Sequence, residues 1–224
     1  MNASTQNTLN FLSKLTIRRV WNMGLVYLSF YITKYWKKPV QLGSPFSISF
    51  EPTTSCNLRC PECPSGLRSF TRPIGMLEPG FFRKTIDELS KELIYLTFYF
   101  QGEPYLNKNF LEMVSYAKKK KIYTATSTNA HYLTDAVSRQ TIESGLDRLI
   151  ISIDGTTQET YQSYRVGGQL DKVIEGAKNI VHWKKEMQSK TPYIIFQFLV
   201  VKPNEHQIDE LKVLAKEIGV DEVI

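Results

Sequence analysis

From residue 46 onward the chain alternates between two hydrophobic periods. Phe46 to Glu51 runs apolar, polar, apolar, the period of a strand with one buried face. After an intervening loop, Phe82, Ile86, Leu89 and Leu93 recur at helical spacing, which predicts a helix opening near Pro79. The exchange then repeats. Tyr95 to Phe100 predicts a second strand, leading into a helix that buries Phe110, Val114 and Ala117. That helix ends in Lys118 to Lys121, cations that the macrodipole favours at a C-terminus. Ile122 to Ser127 predicts a third strand, followed by a helix capped by Thr134 and stopped at Gly145. Arg148 to Asp154 predicts the fourth, its run of Leu149, Ile150 and Ile151 implying burial on both faces. Thr156 and Glu159 read as a capping box, and the helical region breaks at Gly167-Gly168 before resuming through Leu170, Val173, Ala177, Ile180 and Val181. Tyr193 to Val201 predicts the fifth strand. Asn204-x-x-Gln207 reads as the cap of a helix buried through Ile208, Leu211, Ala215 and Ile218, and Asp221 to Ile224 begins a sixth strand after Gly219.

Strands separated by helical crossovers imply an α/β fold with a parallel sheet, either barrel-like or doubly wound. In both architectures ligands sit at the C-terminal ends of the strands. The polar residues that interrupt the apolar pattern fall at those ends. They are a cysteine loop after the first strand, Gly102-Glu103-Pro104 after the second, Thr128-Asn129 after the third, Ser152 and Asp154 at the fourth, and Asn204 after the fifth.

Residues 1–43 read differently from the barrel that residues 44–224 are expected to form. The net charge is +6, and the first fifty residues carry Lys14, Arg18, Arg19, Lys34, Lys37 and Lys38 without one acid. Between Arg19 and Lys34 lie only uncharged residues, too few to cross a bilayer, for which about 20 apolar residues are needed. A basic amphipathic helix fits here, either packing its apolar side on the barrel or lying at a membrane surface or on a protein partner. Basic composition alone gives no specific nucleic-acid signal. This leader is expected to be peripheral to the chemistry, so that removing it would spare the site. No signal peptide, repeat or low-complexity tract is present, and a cytoplasmic chain, peripheral at the membrane if the leader docks there, is expected.

All three cysteines, Cys56, Cys60 and Cys63, fall in one proline-punctuated loop. A disulfide framework does not look like this, and reduced thiolates suit the cytosol. Three thiolates in one loop make a metal site with three protein ligands and an open position, whereas iron-sulfur clusters ordinarily take four cysteines. A structural zinc with a histidine is the alternative, but such sites usually close the fourth position. His131, His182 and His206 show no mutual spacing for a ligand set and read as structural or exposed.

Cys56-x3-Cys60-x2-Cys63 followed by Gln101-Gly102-Glu103-Pro104 resembles the radical S-adenosylmethionine (radical SAM) superfamily, over roughly residues 46 to 224. The flavour Cys-Asn-Leu-Arg-Cys-Pro-Glu-Cys-Pro is similar to members whose barrel precedes a cysteine-rich SPASM domain. The resemblance implies a partial (β/α)6 parallel barrel preceded by an N-terminal amphipathic helical segment. It implies a 4Fe-4S cluster on Cys56, Cys60 and Cys63, with its fourth iron chelated by the amino and carboxylate groups of S-adenosyl-L-methionine. Gly102, Glu103 and Pro104 would contact the methionyl amino group, Asn129 and Ser152 would bind the cofactor from the third and fourth strand ends, and Arg165 would lie near its carboxylate. An external electron donor would reduce the cluster, and cleavage would yield a 5'-deoxyadenosyl radical that abstracts hydrogen from a substrate the sequence does not name.

The same residues have plainer readings: Glu103 as a helix cap, Ser152 as a small strand residue, Arg165 as an ion-pair partner, and the cysteine loop as a non-catalytic iron-sulfur scaffold or electron carrier. The chain departs from the family at Gln101, where a first glycine is usual, and at Glu62, where an aromatic residue often lies beside adenine. No cysteine follows Cys63, so a SPASM domain's auxiliary clusters have no ligands here, and the chain is expected to be part of a longer protein.

Overall fold

The computed structural model describes residues 2–224. Six strands, β1 (Ser47–Ser49), β2 (Tyr95–Thr97), β3 (Tyr123–Thr128), β4 (Arg148–Ser152), β5 (Tyr193–Gln197) and β6 (Glu222–Val223), pair in sequence order. Every pairing is parallel. The crossovers contain α4 (Pro79–Leu89), α5 (Phe110–Lys119), α6 (Asp135–Ser144), α7 (Gln158–Tyr164), α8 (Leu170–Glu186) and α9 (Ile208–Ile218), and a short α3 (Pro64–Leu67) lies in the cysteine loop. The α/β expectation therefore holds, as a partial (β/α)6 barrel with β1 and β6 at its edges.

Register decides which residues point outward. Leu96 pairs with Thr124, and Leu149 with Thr126 and Ile194, along one side, and Leu96, Leu149 and Ile194 join Phe82, Val114 and Ile180 of the helices in the main core. The opposite side faces the barrel lumen. Ile150, Tyr193 and Ile195 form a small cluster there, so the apolar run in β4 is buried on both faces as expected. Towards the C-terminal ends this inner row turns to Ser127 and Ser152, whose hydroxyls lie 3.5 Å apart.

Helix ends follow the sequence in most places. Thr134 accepts from the Val137 N–H at the start of α6, and Gly145 and Gly219 close α6 and α9 with φ of 72° and 91°. Two expected caps do not form. Thr157, not Thr156, caps α7, since the Thr156 N–H is taken by Gln207 Oε1 at 2.8 Å and its hydroxyl by Glu210. Asn204 makes no helix cap. Its side chain accepts from Val201 N and donates to the carbonyls of Asp154 and Leu199, tying the ends of β4 and β5 together.

The leader forms two helices, α1 (Ala3–Leu12) and α2 (Ile17–Trp36). Both lie at the N-terminal ends of the strands, opposite the cysteine loop. Phe11 of α1 packs edge-on to Tyr123 at 5.5 Å, and the Tyr123 hydroxyl donates to Asn7 at 2.6 Å. Asp147, fully buried before β4, accepts from Asn10 and pairs with Lys118 and Lys14 at 2.8 and 3.4 Å. Arg19 donates to the carbonyls of Ser90, Lys120 and Lys121, placing one cation on the C-terminal ends of α4 and α5. The leader thus floors the barrel. Its removal would take Asn10 and Lys14 from Asp147, which keeps Lys118 and Thr124, and would take Arg19 from these carbonyls, all at the end of the barrel away from the cysteines. The apolar side of α2 does not turn inward, because its buried residues are Arg19, Asn22 and Ser29.

Candidate active site

The cysteine loop leaves β1, and its shape is fixed by contacts to neighbouring loops. Leu58, 2% exposed, anchors it, and the Arg59 N–H reaches the carbonyl of Val166 after α7. Gly66 in α3 lets that helix pass close to Cys60, for a Cβ there would stand 2.4 Å from the Cys60 carbonyl. The second loop docks on the first. Gly102 has φ of 78°, and a Cβ on it would lie 2.0 Å from the Thr53 carbonyl, so only glycine allows this approach. The N–H groups of Gly102 and Glu103 then bond to Ser65 Oγ at 3.0 Å and the Ser55 carbonyl at 2.8 Å.

Glu103 is almost wholly buried. Its carboxylate accepts from the Thr128 hydroxyl at 2.7 Å, the Asn129 N–H at 2.8 Å and the Tyr105 N–H at 3.3 Å. Burial outweighs these donors and pushes its pKa up to about 7. The plain reading of Glu103 as a cap is thus correct for the short 3-10 turn at Pro104–Leu106, and the same side chain also reaches the cavity beside the cysteines. Asn129 continues the chain of contacts, donating to Asn57 Oδ1 at 2.8 Å and lying 3.8 Å from Cys56 Sγ. His131 accepts from the Gln169 N–H at 2.9 Å, which suits a neutral ring whose pKa burial pushes down, and serves structure as the sequence implied.

At the fourth strand, Asp154 explains the position of Arg165. Its carboxylate, 1% exposed, binds Arg165 Nε at 2.5 Å and accepts from Leu199 N at 2.8 Å. So held, the guanidinium reaches 3.9 Å from Cys60 Sγ. Burial opposes its charge, but Asp154 and Cys60 more than offset that and raise its pKa.

One cavity of about 180 Å³ collects these groups. Cys56, Cys60 and Cys63 line it together with Gly102, Glu103, Asn129, Ser152 and Arg165; Pro104 does not, being turned into the 3-10 turn behind. Sequence reasoning gave no role to Gln101 and overlooked Tyr164. Gln101 Oε1 accepts from Cys63 Sγ at 3.3 Å, and Tyr164 stacks under Arg165 with the guanidinium carbon 5.8 Å from its ring centre. Phe100, 75% exposed, puts an aromatic face on the wall, whereas Glu62 points to solvent. Burial pushes the Cys56 thiol up to about 11, against a weaker opposing bond from the Leu58 N–H, and raises Cys60 despite Arg165. Among the described residues no three His, Cys, Asp or Glu side chains close on a single metal position.

The sequence pattern that defines the radical SAM superfamily matches residues 50–220. The chain belongs to this superfamily. Among similar radical SAM relatives is the tungsten-containing aldehyde ferredoxin oxidoreductase cofactor-modifying protein of Pyrococcus furiosus. It is 30% identical over 178 residues, covering 78% of this chain and 49% of that protein. Mycofactocin maturase MftC of Mycobacterium tuberculosis is 27% identical over 178 residues, covering 80% of this chain and 44% of the relative. The barrel also superposes on Streptococcus suis SuiB bound to its precursor peptide SuiA, with a TM-score of 0.68 and 16% identity over 88% of this chain and 42% of SuiB. That likeness is one of fold. The chain spans about half the length of the curated relatives it matches.

Proposed function

We propose that this radical SAM chain holds a 4Fe-4S cluster on Cys56, Cys60 and Cys63 and binds S-adenosyl-L-methionine against the cluster's unligated iron. The observation that carries the reading is the convergence of three thiols with Glu103, Ser152 and Arg165 on one cavity at the strand ends. The donor set fits the group, for three soft sulfur ligands line one cavity. When bound, cluster and cofactor together would supply reductive cleavage to a 5'-deoxyadenosyl radical able to abstract hydrogen from a substrate, with an external donor providing the electron.

The chain's own residues supply orientation. Glu103, with its carboxylate fixed by three donors, and the neighbouring backbone present acceptors to an ammonium group, which has only protons to give. Arg165, aligned by Asp154, offers a planar fork to a carboxylate and adds positive charge beside Cys60. Ser152 and Asn129 give short polar contacts for a ribose or methionyl group, while Phe100 gives adenine the aromatic face that Glu62 does not. Fixing both reactants in one geometry makes electron transfer an event within one complex. The polypeptide's share of the reaction is that positioning, since the bond-breaking capacity belongs to the cofactor. The substrate is a proposal only in outline: a molecule admitted through the open mouth of the barrel, beyond Phe100.

The test is anaerobic reconstitution followed by a strong reductant and the cofactor. About four irons per chain, visible absorption, measurable cofactor binding and release of 5'-deoxyadenosine are expected. A chain that holds its iron with intact absorption, yet neither binds S-adenosyl-L-methionine nor forms 5'-deoxyadenosine, would reduce the site to an iron-sulfur scaffold or electron carrier.

A further inference from the structure

The side that α2 turns to solvent is its apolar one. Its inward side is polar: Arg19 caps two helices, Asn22 donates to the Ser44 carbonyl and accepts the Ser44 N–H, and Ser29 accepts the Leu42 N–H. Ile17, Val20, Trp21, Leu28, Tyr31 and Tyr35 point the other way, between 45% and 92% exposed. At 3.6 residues per turn they fall, with Gly24, in one stripe about 30 Å long without a single charge. Arg18 and Lys34 lie on its two margins, and Lys37 and Lys38 follow the helix end. A helix facing only water carries its charges on that side, so this stripe has a partner.

Three observations select the partner. No acid occurs in the first fifty residues, and although Glu92 pairs with Arg18 at one margin, Lys34, Lys37 and Lys38 leave the other end of the stripe cationic, complementing an anionic surface. A second copy docked stripe to stripe would set the Lys34, Lys37 and Lys38 cluster against further cations of its own kind. The rings of Trp21, Tyr31 and Tyr35 are amphipathic, the residue types that gather at headgroup level. No helix among the described residues is long and apolar enough to cross a membrane. We propose that α2 is an in-plane anchor that seats this chain on an anionic lipid bilayer. The inference does not depend on the chemistry assigned to the cysteine cavity.

The test is flotation of the 224-residue chain with vesicles of phosphatidylcholine alone or mixed with phosphatidylglycerol, read alongside tryptophan emission. Binding to the anionic vesicles is expected, with a blue shift, weaker binding to the neutral ones and loss at high salt. Trp21→Glu and Leu28→Glu should each weaken binding more than about tenfold, and Lys34→Glu and Lys37→Glu about fivefold or more each. All four side chains are exposed, so thermal unfolding should not move. The proposal fails if the chain stays unbound with both vesicle types, or if Trp21→Glu and Leu28→Glu float like the parent. It fails equally if sedimentation shows a dimer that those substitutions dissociate while vesicles bind nothing, which would assign the stripe to a second copy.

Discussion

The two ends of the barrel spend polar groups in opposite ways. At the floor, Asp147 is fully buried yet meets Lys14, Lys118, Asn10 and the Thr124 N–H, so this buried charge finds its partners inside the chain. At the mouth, three thiols, a buried carboxylate and a guanidinium face a common cavity, and although Glu103 has three donors and Arg165 pairs with Asp154, burial still pushes the Glu103 carboxyl and the Cys56 and Cys60 thiols towards their neutral forms. Satisfied buried polar groups hold structure, whereas groups whose ionisation is set against their surroundings mark a site waiting for a ligand. The difference separates stability from chemistry within one sheet, and substitutions at each end should separate them in measurement.

The largest contrast is expected from the cysteines. Each of Cys56→Ala, Cys60→Ala and Cys63→Ala should lose all cluster iron after reconstitution, because no other cysteine exists to replace it. The same changes should shift unfolding of the iron-free chain by less than about 1 kcal/mol, as measured by denaturant titration. Iron retained in any of the three would place the cluster elsewhere.

Asp147→Ala should do the reverse. Removing one member of a buried charged network costs about 3 to 5 kcal/mol, and the partly exposed Lys118 places the loss at the lower end. Asp147→Asn, which keeps an acceptor for the Thr124 N–H, should lose less. Folded protein of either variant should still load iron in full; failure to do so would couple the ends that the structure keeps apart.

Glu103→Ala and Arg165→Ala come next, and should leave iron content unchanged. A lost hydrogen bond to a charged group costs about 1.5 to 3 kcal/mol, or roughly 10- to 150-fold in cofactor affinity. Equilibrium binding of S-adenosyl-L-methionine equal to that of the parent would remove both from the site.

The smallest effect expected is a slope with pH. Glu103 in the iron-free chain has its pKa raised from an ordinary carboxylate value to about 7 by burial. The folded state then binds more protons than the unfolded state through that interval, so the contribution to stability is full below the unfolded pKa and is lost as pH rises towards 7. Glu103→Gln should flatten that part of the stability profile. An unchanged slope in the variant would assign the effect to another group.

Much of this was legible in the sequence because it is written locally. The strand and helix periods, the Thr134 cap and the stops at Gly145 and Gly219 each depend on residues within a few positions of one another. The cysteine loop and Gly102 were legible for another reason: so few residue types do what thiols and a left-handed glycine do. What escaped depends on contacts distant in sequence. Nothing near Arg19 announces that its partners are the carbonyls of Ser90, Lys120 and Lys121, so the sequence left open which side of α2 faces the barrel. Asn204 looked like a cap until Asp154 and Leu199 appeared beside it, and Asp154 read only as a polar residue at a strand end because its partner Arg165 lies a helix away.

The hydrogen bond from the Glu103 N–H to the Ser55 carbonyl joins the second loop to the residue preceding Cys56. Whatever orders the cysteine loop therefore also orders the carboxylate next to it, and the converse holds. Free energies linked in this way obey reciprocity: the factor by which iron loading improves cofactor affinity must equal the factor by which bound cofactor slows iron loss at equilibrium. A factor above one would report the coupling that the shared loop contact and direct contact between the two groups supply together, whereas a factor of one in both titrations would show that they bind independently.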